Sequence, residues 1–221
     1  VENIAEWQAY CKANVTAGYT PKGDAINIPE TGVAIANFLS DLMIINPGDS
    51  ILDVGNGNGR LAIGLSLTAT NFTYHGLDVI KPCVEFCQRA FAEDHRYQFT
   101  HLDVANQHYW AHGKGKQEQV RFPVPDHSID TVIAFSLFTH LDTRAASQHY
   151  LAEMQRVLRP GGTLFATWSF TSMVDNVTLN AKHAVYHIND VIGFYAPFAS
   201  WRLIPLNNPG SPNQVGICAK I

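Results

Sequence analysis

The chain has 221 residues, 46% of them hydrophobic and 15% charged, with a formal net charge of −4. That length suits one sizeable domain, or one domain with a small lid. No basic face is implied, which argues against nucleic acid as the main partner, and no apolar run of about 18 residues or signal peptide is visible, so a soluble cytoplasmic protein is expected.

In chain order, a short helix is predicted near Ile4–Ala13, followed by a loop containing Gly18, Pro21, Gly23 and Pro29. Val33, Ala36, Phe38, Leu39 and Leu42 have helical spacing, which predicts a helix over Thr31–Leu42. Asn46–Asp49 is a turn, and Ser50–Val54 reads as the first strand. A helix follows over about Gly59–Leu67, then a second strand at Thr73–Asp78, a helix over Pro82–Ala92 and a third strand at Tyr97–His101. Asn106–Pro125 is long and polar, and a loop of that length in a compact domain is usually functional or disordered. Ile129–Phe135 is predicted as a fourth strand and Thr143–Leu158 as an amphipathic helix. Thr163–Trp168 is predicted as a fifth strand after Pro160-Gly161-Gly162. Trp201–Leu206 and Val215–Ile221 read as two strands joined by a hairpin-like link over Asn207–Asn213.

Strands alternating with helices mean a parallel sheet with helices on both faces. The expected fold is therefore α/β, Rossmann-like and doubly wound, with a C-terminal antiparallel strand pair. The expected division is an N-terminal helical cap over 1–45, a ligand-binding core over 46–170, a lid over 171–197 and the strand pair over 198–221. Four cysteines, Cys11, Cys83, Cys87 and Cys218, make no C-x-x-C pair. Cys83 and Cys87, four apart on a predicted helix, read as small buried hydrophobes in preference to a metal or redox pair.

The most informative stretch is Ile51-Leu52-Asp53-Val54-Gly55-Asn56-Gly57-Asn58-Gly59-Arg60. An apolar strand runs into three alternating glycines and then a helix. Glycine tolerates positive φ and leaves room for a ligand against the backbone. The helix that follows offers free N–H groups and its positive dipole end. Three acids close three successive predicted strand units, Asp53, Asp78 and Asp103, each 25 residues after the last. Ligands in such sheets bind at the carboxyl ends of the strands. A single strand-end Asp is most often a helix cap; three in register with a glycine turn point to a site.

The pattern D-x-G-x-G-x-G resembles the first motif of class I S-adenosylmethionine-dependent methyltransferases. A dinucleotide fingerprint has the different spacing G-x-G-x-x-G/A. Asp126-His127-Ser128-Ile129-Asp130-Thr131-Val132 resembles that family's entry into the fourth strand, and Arg156-Val157-Leu158-Arg159-Pro160-Gly161-Gly162 its turn before the fifth. Phe122-Pro123-Val124-Pro125-Asp126, Ser136-Leu137-Phe138-Thr139-His140 and the partly conforming Asn106-Gln107-His108-Tyr109-Trp110 resemble bacterial small-molecule members, some of them associated with sugars. The resemblance implies a mostly parallel seven-stranded sheet and S-adenosylmethionine as cofactor, with S-adenosylhomocysteine as product.

It also implies roles for individual residues. Asp53, Gly55, Asn56, Gly57, Asp78 and Asp103 would hold the cofactor, Asp78 at the ribose and Asp103 at the adenine amine. Backbone near Val79, Val104, Phe135 and Ser136 would close round it. Arg60 would meet the cofactor carboxylate or cap the turn. The acceptor would be a small polar molecule, with an oxygen of a sugar or hydroxylated metabolite as the first expectation.

His140 is the candidate base, with a role in fixing the local loop as its alternative. His108, Tyr109, Trp110 and His112 either wall the acceptor or lie on an exposed loop. Trp168 either lines the acceptor pocket or belongs to the core. His183, His187 and Tyr195 fall in the expected lid. No carboxylate cluster suited to a metal follows the fourth strand, so no metal is expected. Two rivals stand: a nicotinamide-dependent oxidoreductase, since Gly57–Ala62 formally reads G-x-G-x-x-A, and a catalytically silent scaffold that keeps the fold.

Overall fold

The computed structural model describes residues 28–171, 178–180, 183–206 and 214–221. The helix expected at Ile4–Ala13 and the link over Asn207–Asn213 lie outside them. The first described element is helix α1 (Ile28–Asp41), followed by strand β1 (Ser50–Val54) and helix α2 (Arg60–Thr68). Strand β2 (Thr73–Asp78), helix α3 (Lys81–Ala90) and strand β3 (Tyr97–His101) complete the first half. The second half holds β4 (Ile129–Ala134), α4 (Arg144–Val157) and β5 (Leu158–Thr171). After them come β6 (Thr178–Asn180), β7 (His183–His187), α5 (Ile188–Phe194), β8 (Ser200–Pro205) and β9 (Gln214–Lys220).

The main sheet runs β3-β2-β1-β4-β5, all parallel, and continues through antiparallel β9 to β8. This is the expected doubly wound arrangement with its C-terminal strand pair. Two further strands extend it. The far end of β5 pairs in parallel with β7 at Phe170 and Thr171, and β6 runs antiparallel to β7. Those strands fall in the expected lid, for which the sequence reading predicts no strand.

The sheet separates two apolar layers. On one face α1, α2 and α3 cover Ile51, Ile133 and an aromatic group of Phe72, Tyr74, Phe91, Tyr97 and Phe99. Helices α1 and α2 cross with their backbones in contact. A Cβ on Gly64 would overlap the Gly32 carbonyl, and one on Gly32 the Arg60 carbonyl. On the other face α4, α5 and the segment 120–124 bury Leu52, Val132, Phe138 and Trp168.

Arg156 ties that segment down. Its guanidinium donates to the carbonyls of Phe122 (3.1 Å) and Val124 (3.0 Å) and to Glu153 (2.7 Å). It also donates to Asp126. The Arg156 and Asp126 of the recognised motifs thus hold the chain that leads into β4. Among the described residues no helix is long and apolar enough to cross a membrane, and no group of His, Cys, Asp and Glu is arranged to hold a metal.

Candidate active site

The turn after β1 is built by its glycines. Gly55, Gly57 and Gly59 have φ of 83°, 52° and 74°, a left-handed geometry costly for other residues. The Gly55 and Asn56 amides donate to the Leu77 carbonyl at 2.7 and 3.3 Å, which binds the turn to β2. The Gly57 amide donates to Asp78 Oδ2 at 2.7 Å. The position of a Cβ on Gly57 has nothing within 4 Å, so the turn opens onto space there. Leu137 lies over Gly55, 3.2 Å from where a Cβ would stand.

Asn56 is different from the glycines. Its side chain turns into the protein, where Nδ2 donates to the Gly57 carbonyl (2.8 Å) and meets Cys87 Sγ (3.7 Å). Its Oδ1 is buried without a hydrogen-bond partner. Asn58 accepts from the Cys83 thiol at 2.9 Å. The two cysteines are small buried groups, as expected, and they pack under the turn.

The three acids do not stand level. Asp53 pairs in register with Gly76, two residues short of Asp78, and Asp78 pairs with His101, two residues short of Asp103. In a parallel sheet each step of two residues is about 6.6 Å. Asp53 and Asp78 therefore form a staircase along one face of the sheet, and Asp103 lies beyond the end of β3, where the Val104 amide returns to the Leu102 carbonyl at 2.8 Å. Asp53 is 3% exposed, Asp78 is 6% exposed, and the Asp103 side chain is 44% exposed.

Each step has its own chemistry. Asp53 accepts the Tyr74 hydroxyl at 2.5 Å beneath the turn. Burial lifts its carboxyl to about 7, against the pull of Tyr74 and Arg60. Asp78 sits at the rim, with Oδ2 on the Gly57 amide and Oδ1 on the Ile80 amide at 2.8 Å. Burial raises its pKa, and those amides oppose the rise. Each oxygen of an ionised carboxylate keeps a second acceptor site, which suits a vicinal diol. Asp103 meets Lys114 Nζ at 3.9 Å near the surface. Arg60 opens α2, half-buried and close enough to Asp53 to stabilise its charge.

The long segment after β3 is ordered. Val104 bridges to Gly115, and Asn106 and Trp110 exchange backbone hydrogen bonds of 3.0 Å in both directions. A Cβ on Gly113 would overlap the Val104 carbonyl carbon, so glycine permits the close return. Val79 and Val104 flank this end of the sheet: the Val79 carbonyl contacts His101 Nε2 at 3.0 Å, and Val104 is 4% exposed.

The segment brings Tyr109 to His140. The phenol oxygen is 3.0 Å from Nδ1, and the rings are perpendicular at 5.1 Å. Burial raises the Tyr109 pKa, and the Asp78 charge adds to the rise; β1 and β4 run parallel, and His140 follows the carboxyl end of β4, so the pair stands at the same end of the sheet as the turn. His108 is exposed and edge-on to Tyr109. Trp110 packs edge-on to His101, and its indole N–H is buried without a partner. His112 is exposed. Asn106, Gln117 and Asp142, which frame the segment through side-chain hydrogen bonds, are missed by hydrophobic patterning. In the sequence only Asn106 carries a signal, as the start of the partly conforming Asn106-Gln107-His108-Tyr109-Trp110 segment.

After β4, Phe135 packs on Phe165 with centroids 5.8 Å apart. Ser136 has φ 62°, unusual for a residue with a Cβ, and its amide donates to Thr167 Oγ1 at 2.7 Å. Its carbonyl accepts from Thr139 at 2.9 Å, which begins the single turn of 3-10 helix, Phe138–His140.

Trp168 is a correction to the pocket-lining expectation. It is 0% exposed, stacked on Phe138 at 3.9 Å, and its Nε1 donates to Tyr195 Oη at 3.0 Å. Strand β5 continues to Thr171 and so encloses Trp168 instead of ending there. Tyr195 is equally buried. His187 caps α5 by accepting the Asn189 amide at 3.2 Å. The His183 side chain lies outside the described residues.

Residues 52–166 match the methyltransferase domain family. The chain is 29% identical over 154 residues to 27-O-demethylrifamycin SV methyltransferase of Amycolatopsis mediterranei (strain S699), a match covering 68% of this chain and 49% of that protein. The chain thus spans about half the length of the curated relatives it matches. Its fold is similar to that of a SAM-dependent methyltransferase from Aquifex aeolicus, with TM-score 0.60 and 18% identity over 97% of this chain and 98% of that one. It is also similar to the glycopeptide N-methyltransferase MtfA complexed with S-adenosyl-L-homocysteine, with TM-score 0.61 and 13% identity over 86% and 90% of the two chains. At these identities the likeness shows the fold.

Proposed function

This chain belongs to the S-adenosylmethionine-dependent methyltransferase family, and from that premise we propose that it methylates a hydroxyl of a small metabolite, with His140 as the base. The observation that carries the reading is the Asp78 carboxylate, fixed by the Gly57 and Ile80 amides beside the open face of Gly57. Those residues fit the cofactor: Asp78 accepts from the ribose hydroxyls, and Gly57 leaves backbone bare beside them. Val79 and Val104 are the apolar residues at the adenine end, and Asp103 supplies the acceptor for its amine.

The cofactor, when bound, supplies a methyl group already activated on a sulfonium. What remains for the protein is to hold an acceptor in line, exclude water and take up a proton. His140 suits the last task, because it follows β4 and lies against Tyr109 at the same end of the sheet as Asp78. An oxygen acceptor is supported by the likeness to 27-O-demethylrifamycin SV methyltransferase. No residue of the site favours a sugar over another hydroxylated metabolite. Asp53 acts from beneath, where its pair with Tyr74 supports the turn.

The test is transfer of a labelled methyl group from S-adenosylmethionine to a panel of hydroxylated acceptors, sugars and amines. Labelled ethers on hydroxylated acceptors support the reading. Labelled amines alone, or no transfer across the panel despite cofactor binding, overturn it.

A further inference from the structure

Ser136 is clamped through its backbone by two buried threonines. Its amide donates to Thr167 Oγ1 at 2.7 Å, and its carbonyl accepts from Thr139 Oγ1 at 2.9 Å. Thr167 is 1% exposed and Thr139 is 3% exposed. Strands β4 and β5 pair as far as Ala134 and Ala166, where β4 ends. The Ser136 amide then goes to a side chain of β5 rather than to its backbone. Its φ of 62° lies in the left-handed region, which a residue with a Cβ adopts at a cost. The two hydroxyls satisfy both of its backbone groups in that conformation and offset the cost.

The consequence falls on Leu137. Strands β1 and β4 pair with Asp53 opposite Ile133, so the chain leaves β4 beside the glycine turn. After the left-handed step at Ser136, Leu137 lies 3.2 Å from where a Cβ on Gly55 would stand, while Gly57, two residues on, faces open space. We propose that Thr167 is a positioning residue for the cofactor site: its hydroxyl holds Ser136 left-handed, and this seats Leu137 against the glycine turn as an apolar wall of the cofactor space. This rests on the reading of the turn as an S-adenosylmethionine site. Thr139 belongs to the same short turn that follows Leu137. Thr167 stands on β5, so its bond is the one that ties this wall to the sheet.

The experiment is calorimetric titration of the full chain with S-adenosylmethionine, beside a thermal melt of each protein without ligand. The wild type is compared with Thr167→Val, Thr167→Ser, Leu137→Ala and the double variant Thr167→Val/Leu137→Ala. Thr167→Val keeps the side-chain shape and removes the acceptor, and Thr167→Ser keeps the hydroxyl. The expected result is a loss of about tenfold in affinity for Thr167→Val and a similar loss for Leu137→Ala, with Thr167→Ser within about twofold of the wild type. The double variant binds no more weakly than Leu137→Ala alone, because the hydroxyl acts through Leu137. Wild-type affinity in Thr167→Val, even with a lower melting temperature, leaves Thr167 a stability role only and overturns the proposal. Losses that add in the double variant overturn it as well, since the hydroxyl then acts by another route. Leu137→Ala does not touch the clamp, so it decides the matter if Thr167→Val fails to fold: unchanged affinity there overturns the wall. Absence of binding by the wild type is a separate result, which overturns the cofactor reading itself.

Discussion

The Gly57 amide donates to Asp78 Oδ2 at 2.7 Å, tying the turn after β1 to the end of β2. This bond joins the two parts of the candidate cofactor site before any ligand enters. Preorganised acceptors bind without a further ordering cost. It also leaves Asp78 at the rim, while the burial of Asp53 keeps that carboxylate below.

Asp78→Ala removes the proposed ribose acceptor and leaves the Gly57 and Ile80 amides without their carboxylate. Loss of two hydrogen bonds to a charged group costs about 3 kcal/mol or more, roughly a hundredfold in S-adenosylmethionine affinity. Calorimetry measures it. Unchanged affinity contradicts the ribose assignment.

Asp53 makes a prediction about pH. Its folded-state value of about 7 lies above the ordinary 3.8 because burial disfavours the charge. The folded protein therefore holds this proton more tightly than the unfolded chain. Stability from this group is greatest near pH 4, falls as pH rises toward 7, and levels off above. Asp53→Asn keeps an acceptor for the Tyr74 hydroxyl and removes the titration. Its unfolding free energy gains on the wild type by on the order of 3–4 kcal/mol between pH 4 and pH 8. Urea unfolding of both proteins at the two pH values measures the difference; a constant gap contradicts the burial argument.

The crossing of α1 and α2 has no room for a methyl group. Gly64→Ala places a Cβ against the Gly32 carbonyl and costs about 2–3 kcal/mol. Gly193 in α5 is the control: a Cβ there meets nothing within 4 Å. Gly193→Ala gains about 0.5–1 kcal/mol from helix propensity. Thermal melts of the two variants shift in opposite directions.

Trp168 contributes to stability. Trp168→Phe loses the wider stack on Phe138 and the bond to Tyr195. The expected cost is about 2–3 kcal/mol, with the acceptor KM unchanged. Wild-type stability with an altered acceptor KM returns Trp168 to the pocket.

These sites differ in how far the sequence reveals them. The β1–turn–α2 unit is legible because an apolar run, alternating glycines and a helical pattern each carry a separate signal. The staircase is not legible, because the 25-residue spacing of the acids counts positions along the chain. Height in the sheet depends on register between strands, and pairing sets that. The order in the segment after Asn106 is hidden for another reason. It rests on buried amides, Asn106 and Gln117, whose side chains satisfy backbone groups in place of burying apolar surface. A hydrophobic pattern reads such a stretch as loop. For Trp168 the miss is one of strand length: the strand predicted to end there continues to Thr171.

The most direct test of the account is calorimetric titration of the full chain with S-adenosylmethionine and, separately, with NADH. The glycine turn and the pinned Asp78 predict one-to-one binding of S-adenosylmethionine and no measurable heat from NADH. Binding of NADH without S-adenosylmethionine contradicts it.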